Sequence, residues 1–145
     1  MSRNTGVSKA SGTKTKLEKL TRAVTSAMKY LEISIRVASK GDDVRDLVWN
    51  AAANLEYALF LFSIMHQDVP KSSSWRLTSA SKEVEVESIL ASTRDLVAKA
   101  ENEIKAGALH EARKITWMAR GHLLRLQEFF EKQRKLERAA KKSSQ

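Results

Sequence analysis

Apolar residues in this chain recur at intervals of three and four along four separate stretches. That period restricts it to helices, each of which must bury one stripe against its neighbours. The first stripe is Leu17, Leu20, Val24, Ala27, Leu31 and Ala38, with Met28 and Ile35 beside it, and predicts a helix over about Thr15 to Ser39. Gly41 follows, where a left-handed residue ends a helix at least cost, and Asp42 or Asp43 offers the next helix an N-cap. The second helix is expected over Val44 to His66, with Val48, Ala51, Leu55, Ala58, Phe62 and Met65 on one face and Trp49, Tyr57, Phe60, Leu61 and Ile64 on others. A helix apolar on most sides is either central to its own bundle or shared with a second chain. Exposed Phe60, Leu61 and Ile64 would form an association surface.

Asp68 to Ser74, around the only proline, Pro70, breaks the pattern and reads as a loop. A third helix is expected up to Gly107 from Val86, Leu90, Val97, Ala100 and Ile104, with Ser81 as its cap and Glu83 in its first turn, although Lys82 to Glu87 also alternates like a short strand. The fourth stripe is Ala112, Ile115, Ala119, Leu123, Leu126 and Phe130. Past Phe130 the apolar positions thin to Leu136 and Ala140 while bases accumulate, which predicts a helix that projects beyond the bundle. The expected fold is an all-α antiparallel four-helix bundle over residues 15–130, flanked by a basic flexible arm at 1–14 and a basic helical tail at 131–145.

The two halves resemble each other. Leu20, Val24, Leu31, Ala38 and Gly41 match Val86, Leu90, Val97, Ile104 and Gly107 at an offset of 66, and Arg45, Trp49, Ala51, Leu55 and Phe62 match Arg113, Trp117, Ala119, Leu123 and Phe130 at an offset of 68. Two similar helical hairpins would give short turns inside each hairpin and one longer connection between them. Any two amphipathic helices share some spacing, so coincidence accounts for the same match.

The net charge of +9 is concentrated at the ends. Residues 1–16 hold Arg3, Lys9, Lys14 and Lys16 with no acid, and residues 131–145 hold Lys132, Arg134, Lys135, Arg138, Lys141 and Lys142 against Glu131 and Glu137. The chain between them is nearly neutral. Basic arms on a neutral body are the pattern of polyanion binding, and nucleic acid is the commonest polyanion. On the first helix Arg22, Lys29 and Arg36 recur every seven residues, in a line with steps of about 10 Å that suits a phosphate backbone. A solvated helix face accounts for that line too, and part of the C-terminal clustering complements the helix dipole.

Catalytic chemistry finds no support. The chain has no cysteine, so it has no disulfide and no thiolate nucleophile or metal ligand. His66, His110 and His122 each lack a glutamate three residues earlier, which removes the di-iron bundle pattern. The glycines are scattered singly and form no phosphate loop. No cofactor or metal is expected. The first residues lack an apolar stretch of the secretory kind, and the run from Leu55 to Met65 is about half of what spans a bilayer, so a cytoplasmic protein or part of a nucleoprotein particle is expected, with no transmembrane segment.

The expected function is therefore a non-enzymatic, sequence-nonspecific nucleic-acid-binding structural protein. Such a protein is a coat subunit or a small subunit of a ribonucleoprotein complex, with self-association or a larger assembly, touching DNA or RNA backbone through the tails and the Arg22, Lys29, Arg36 line. The alternative is a helical adaptor for an acidic protein partner, with Trp75, Phe60 and Leu61 as contacts. Trp75 equally suits closing the end of its own bundle, and Trp49 and Trp117 suit core or interface. Adhesion to an anionic membrane surface is a third reading, disfavoured because neither tail sets aromatics among its bases.

Overall fold

The computed structural model describes residues 3–65 and 85–143, with the backbone alone for residues 3–13. They form four α-helices: α1 (Arg3–Ser39), α2 (Arg45–Met65), α3 (Val86–Lys105) and α4 (Leu109–Ser143). Among the described residues there is no strand, so Val86 and its neighbours resolve as the start of a helix. Helix α1 runs on from Arg3, ahead of the expected Thr15. Extending an existing helix costs far less than nucleating one, and no proline interrupts residues 3–14. The expected cap Ser81, the loop around Pro70 and Trp75 lie outside the described residues. Helix α3 instead has Glu85 as its N-cap, with no side-chain capping bond.

Each helix packs on two others: α1 on α2 and α3, α4 on α2 and α3. Ala38, Gly41 and Val44 gather with Val86, Phe130 and Glu137 around one cavity. The α1–α2 turn, the start of α3 and the later part of α4 therefore share one end of the bundle. Helices α1 and α4 run one way and α2 and α3 the other, so every packed pair is antiparallel. Helix α2 finishes at the far end from where α3 begins, and residues 66–84 must connect the two ends. This is a four-helix bundle with two tight hairpins and one long crossover.

The core is built from the predicted stripes. Leu20, Val24, Leu31, Val48, Leu55, Phe62, Leu90, Val97, Leu123 and Leu126 are all fully buried. Three hydroxyls share that interior: Ser34 donates to the Tyr30 carbonyl, Thr93 to Ile89 and Thr116 to Ala112, each at 2.7 Å. Bonding back to their own helix removes most of the cost of burying them. Among the described residues, α2 is long and apolar enough to cross a membrane; here Val48, Ala51, Ala52, Leu55, Ala58, Leu61 and Phe62 are buried in the bundle.

The two hairpins repeat one another in three dimensions. Val24, Ala27, Leu31 and Ser34 of α1 are buried, and so are Leu90, Thr93, Val97 and Ala100 of α3, 66 residues later. Val44, Val48, Ala51, Leu55 and Ala58 correspond in the same way to Ala112, Thr116, Ala119, Leu123 and Leu126, 68 residues later. The turns share two bonds: Gly41 N–H donates to Ala38 O and Asp42 N–H to Val37 O, while Gly107 N–H donates to Ile104 O and Ala108 N–H to Glu103 O. Because the matching helices run in opposite directions, a pseudo-twofold axis perpendicular to the bundle relates the hairpins.

Candidate nucleic-acid interface

Helix α4 passes Phe130, its last residue packed on the core, and continues to Ser143 with every residue from Glu131 onward exposed. Lys132, Arg134, Lys135, Arg138, Lys141 and Lys142 thus stand on a helix that leaves the bundle. Glu131 lies 4.0 Å from Arg134. Helix α1 enters at the opposite end, beside the finish of α2, so the basic segment holding Arg3, Lys9, Lys14 and Lys16 extends from the other pole. Lys14 is exposed and Lys16 half-buried; for Arg3 and Lys9 only the backbone is described. Between the poles Arg22, Lys29 and Arg36 are all exposed along α1. The fold therefore does not gather the candidate cations into one patch. It sets them at two ends, with the α1 line running from the N-terminal pole toward the C-terminal one.

Sequence reasoning missed what lies at the base of the C-terminal extension. Asp42, Asp43, Glu85, Glu87 and Glu137 surround a cavity of about 520 Å³, with Arg45 among them. Asp42, Asp43, Glu85 and Glu87 are legible as helix-start residues, but their convergence with Glu137 depends on the crossover that brings the start of α3 to the α1–α2 turn. Asp43 accepts from Arg45 Nε at 3.0 Å and from the Arg45 backbone N–H at 2.9 Å. These bonds hold its carboxyl below the usual carboxylate range and cap the first turn of α2. The extension joins the bundle at this acidic collar, and Arg138, Lys141 and Lys142 follow Glu137 beyond it.

The protein-contact candidates separate. Phe60 is 58% exposed, but Leu61 is only 4% exposed and belongs to the core, because it falls on the side of α2 turned inward. Trp49, expected in core or interface, is 66% exposed and so is no core residue. Trp117 lines a cleft of about 240 Å³ between α2 and α4 with Leu59, Phe60, Arg113 and Arg120. Arg113 is buried there with Nη2 3.4 Å from Ser63 Oγ, and Arg120 Nη1 donates to Glu56 Oε1 at 2.9 Å. The repeat could have revealed this face, since Arg45 and Trp49 recur as Arg113 and Trp117.

Among the described residues no three His, Asp or Glu side chains converge as metal ligands. Fold and surface together define a single-crossover four-helix bundle with a cationic helical extension at each pole. No family model, curated protein or solved structure matches the chain.

Proposed function

We propose that the protein is a non-catalytic structural protein that binds nucleic acid through the phosphate backbone, without reading sequence. The supporting observation is the α4 extension: thirteen consecutive exposed helical residues carrying Lys132, Arg134, Lys135, Arg138, Lys141 and Lys142. Its first turns line clefts at the end of the bundle through Glu131, Gln133, Arg134 and Glu137, and its base density exceeds what a helix C-terminus needs to offset its dipole. Exposed bases on a helix can reach successive phosphates, and the Arg22, Lys29, Arg36 line adds a second track.

The test is binding of the full-length protein to random-sequence duplex DNA, single-stranded DNA and RNA across a salt series, beside a variant with those six C-terminal bases changed to Gln. If Z phosphates are neutralised, log K falls against log salt with a slope of about −0.9Z for duplex DNA. The variant should bind more weakly at low salt and with a shallower slope. Absence of binding by the wild-type protein at low salt overturns the proposal. A partner bound through the aromatic α2–α4 face would instead lose little affinity with salt and respond to Phe60, which is the behaviour of a protein adaptor.

A further inference from the structure

The groove between α2 and α4 carries the same pair of side chains twice. Arg45 and Trp49, four residues apart on α2, stand with Gln127 and Glu131 around one cleft of about 240 Å³. Arg113 and Trp117, four residues apart on α4, stand with Leu59 and Ser63 around a second of the same size. The 68-residue offset between the hairpins carries the first pair onto the second, and Leu59 and Ser63 onto Gln127 and Glu131, so the clefts are images of one another. Residues four apart share a helix face, so each cleft sets an indole beside a guanidinium. Trp49 is exposed in the first, and exposed Phe60 lies beside half-buried Trp117 in the second. Trp49 and Phe60 are eleven residues apart on α2, which is about 16 Å along the groove.

From this repeated pair we infer that the α2–α4 groove takes unpaired nucleotides, one base in each cleft, as the single-strand site of the nucleic-acid-binding protein proposed above, a reading on which it rests. The bases of a single strand have free faces, and an aromatic side chain stacks on any of them. A base inside a duplex is covered by its neighbours on both faces. The phosphates have a track of their own. Arg113, Arg120, Arg134 and Lys141 fall at heptad intervals on α4, with Gln127 in the remaining place, and so form a stripe with steps of about 10 Å. The stripe starts at the second cleft, passes the first and runs onto the basic extension, where Arg138 joins it one turn beyond Arg134.

Charge favours a polyanion over a second copy of the chain. Residues 113–138 of α4 carry eight bases against three acids, and α2 carries one base against two, so the pair of helices is net positive. Like copies repel there and phosphates are attracted. Two of the acids on the groove are already partnered: Glu56 accepts from Arg120 Nη1 at 2.9 Å, and Glu131 lies 4.0 Å from Arg134. The charges lining the first cleft, Arg45, Asp46, Glu131 and Arg134, cancel. That suits an uncharged base inside the cleft, with the phosphates on the stripe beside it. Glu137 of the acidic collar falls about 100° round α4 from Arg138, and so off the stripe.

The test is fluorescence anisotropy with nuclease-treated full-length protein, using a labelled oligothymidylate of about 16 nucleotides and a labelled random-sequence duplex. The wild-type protein should bind the single strand, with log K falling against log salt at about −0.7Z for Z neutralised phosphates. Trp49→Ala and Phe60→Ala should each weaken single-strand binding by about fivefold or more, the lower end of what one stacked base contributes, and leave duplex affinity unchanged. Trp49→Phe keeps a ring and should retain most of the affinity. Both side chains are exposed, so circular dichroism and thermal melting of the variants should match wild type. Single-strand affinity unmoved by both alanine variants, or an equal loss on single strand and duplex, overturns the site. Wild-type binding to the duplex with none to the single strand also overturns it, and leaves the backbone-binding reading standing. Binding to neither polymer at low salt overturns both.

Discussion

Gly41 and Gly107 occupy the same turn twice, at φ values of +79° and +81°, with the same two backbone bonds to the helix before each. A Cβ added at either would touch nothing within 4 Å, so the requirement for glycine is purely one of backbone conformation. Left-handed backbone costs an L-residue about 1–2 kcal/mol, and asparagine less than other residues. Gly41→Ala and Gly107→Ala should therefore each lower unfolding free energy by about 1 kcal/mol, with the Asn variants between alanine and wild type. Urea denaturation at constant m-value measures this. A Gly107→Ala protein with the wild-type midpoint would show that the second turn does not have this conformation.

These paired turns mark how far the sequence alone reaches. The apolar stripes were legible because a buried helix face repeats at 3.6 residues, and Leu31, Leu55, Val97 and Leu123 all went inside. The duplication was legible as spacing and became decisive only when the burial of Val44 and Ala112, or of Ser34 and Ala100, could be compared directly. The side of α2 that faces outward was not legible, because Phe60 and Leu61 are adjacent and equally apolar, yet about 100° of helix separates an exposed side chain from a buried one. The acidic collar was hidden for a different reason: Asp42 and Glu85 meet only through a crossover whose direction no local spacing specifies. The start of α1 was obscured because residues 3–14 have no apolar stripe to announce a helix that simply continues outward from one.

His122 is half-buried on the side of α4 turned away from α2, and burial together with the positive charge of Arg125 lowers its pKa from the ordinary 6.5. Its Nδ1 is enclosed without a hydrogen-bond partner among the described residues. In this case the unfolded chain takes up the proton first as pH falls. Stability is fully present above 6.5 and declines as pH drops through that value toward the lower folded pKa. The melting temperature should fall between neutral and mildly acidic pH, and His122→Gln should flatten that part of the profile. An unchanged slope in the variant would assign the acid sensitivity to other groups.

The residues of α4 beyond Phe130 add nothing to the hydrophobic core, so their helicity rests mainly on propagation from the bundle and on local propensity. An isolated helix of this length is marginal in water, and like charges along it weaken it further. Amide hydrogen exchange should therefore show protection that decays steadily from Glu131 to Ser143, while α3 amides around Val97 stay protected to the global limit. Neutralising Lys132, Lys135, Arg138 and Lys142 with phosphate removes the repulsion and should raise protection in this stretch selectively. Exchange is measured with and without a short random-sequence DNA duplex. Slowing confined to residues 131–143 ties the extension to the polyanion. Slowing spread evenly over α2 and α3, with none in the extension, would mean that the bases of α4 are not where the phosphates bind.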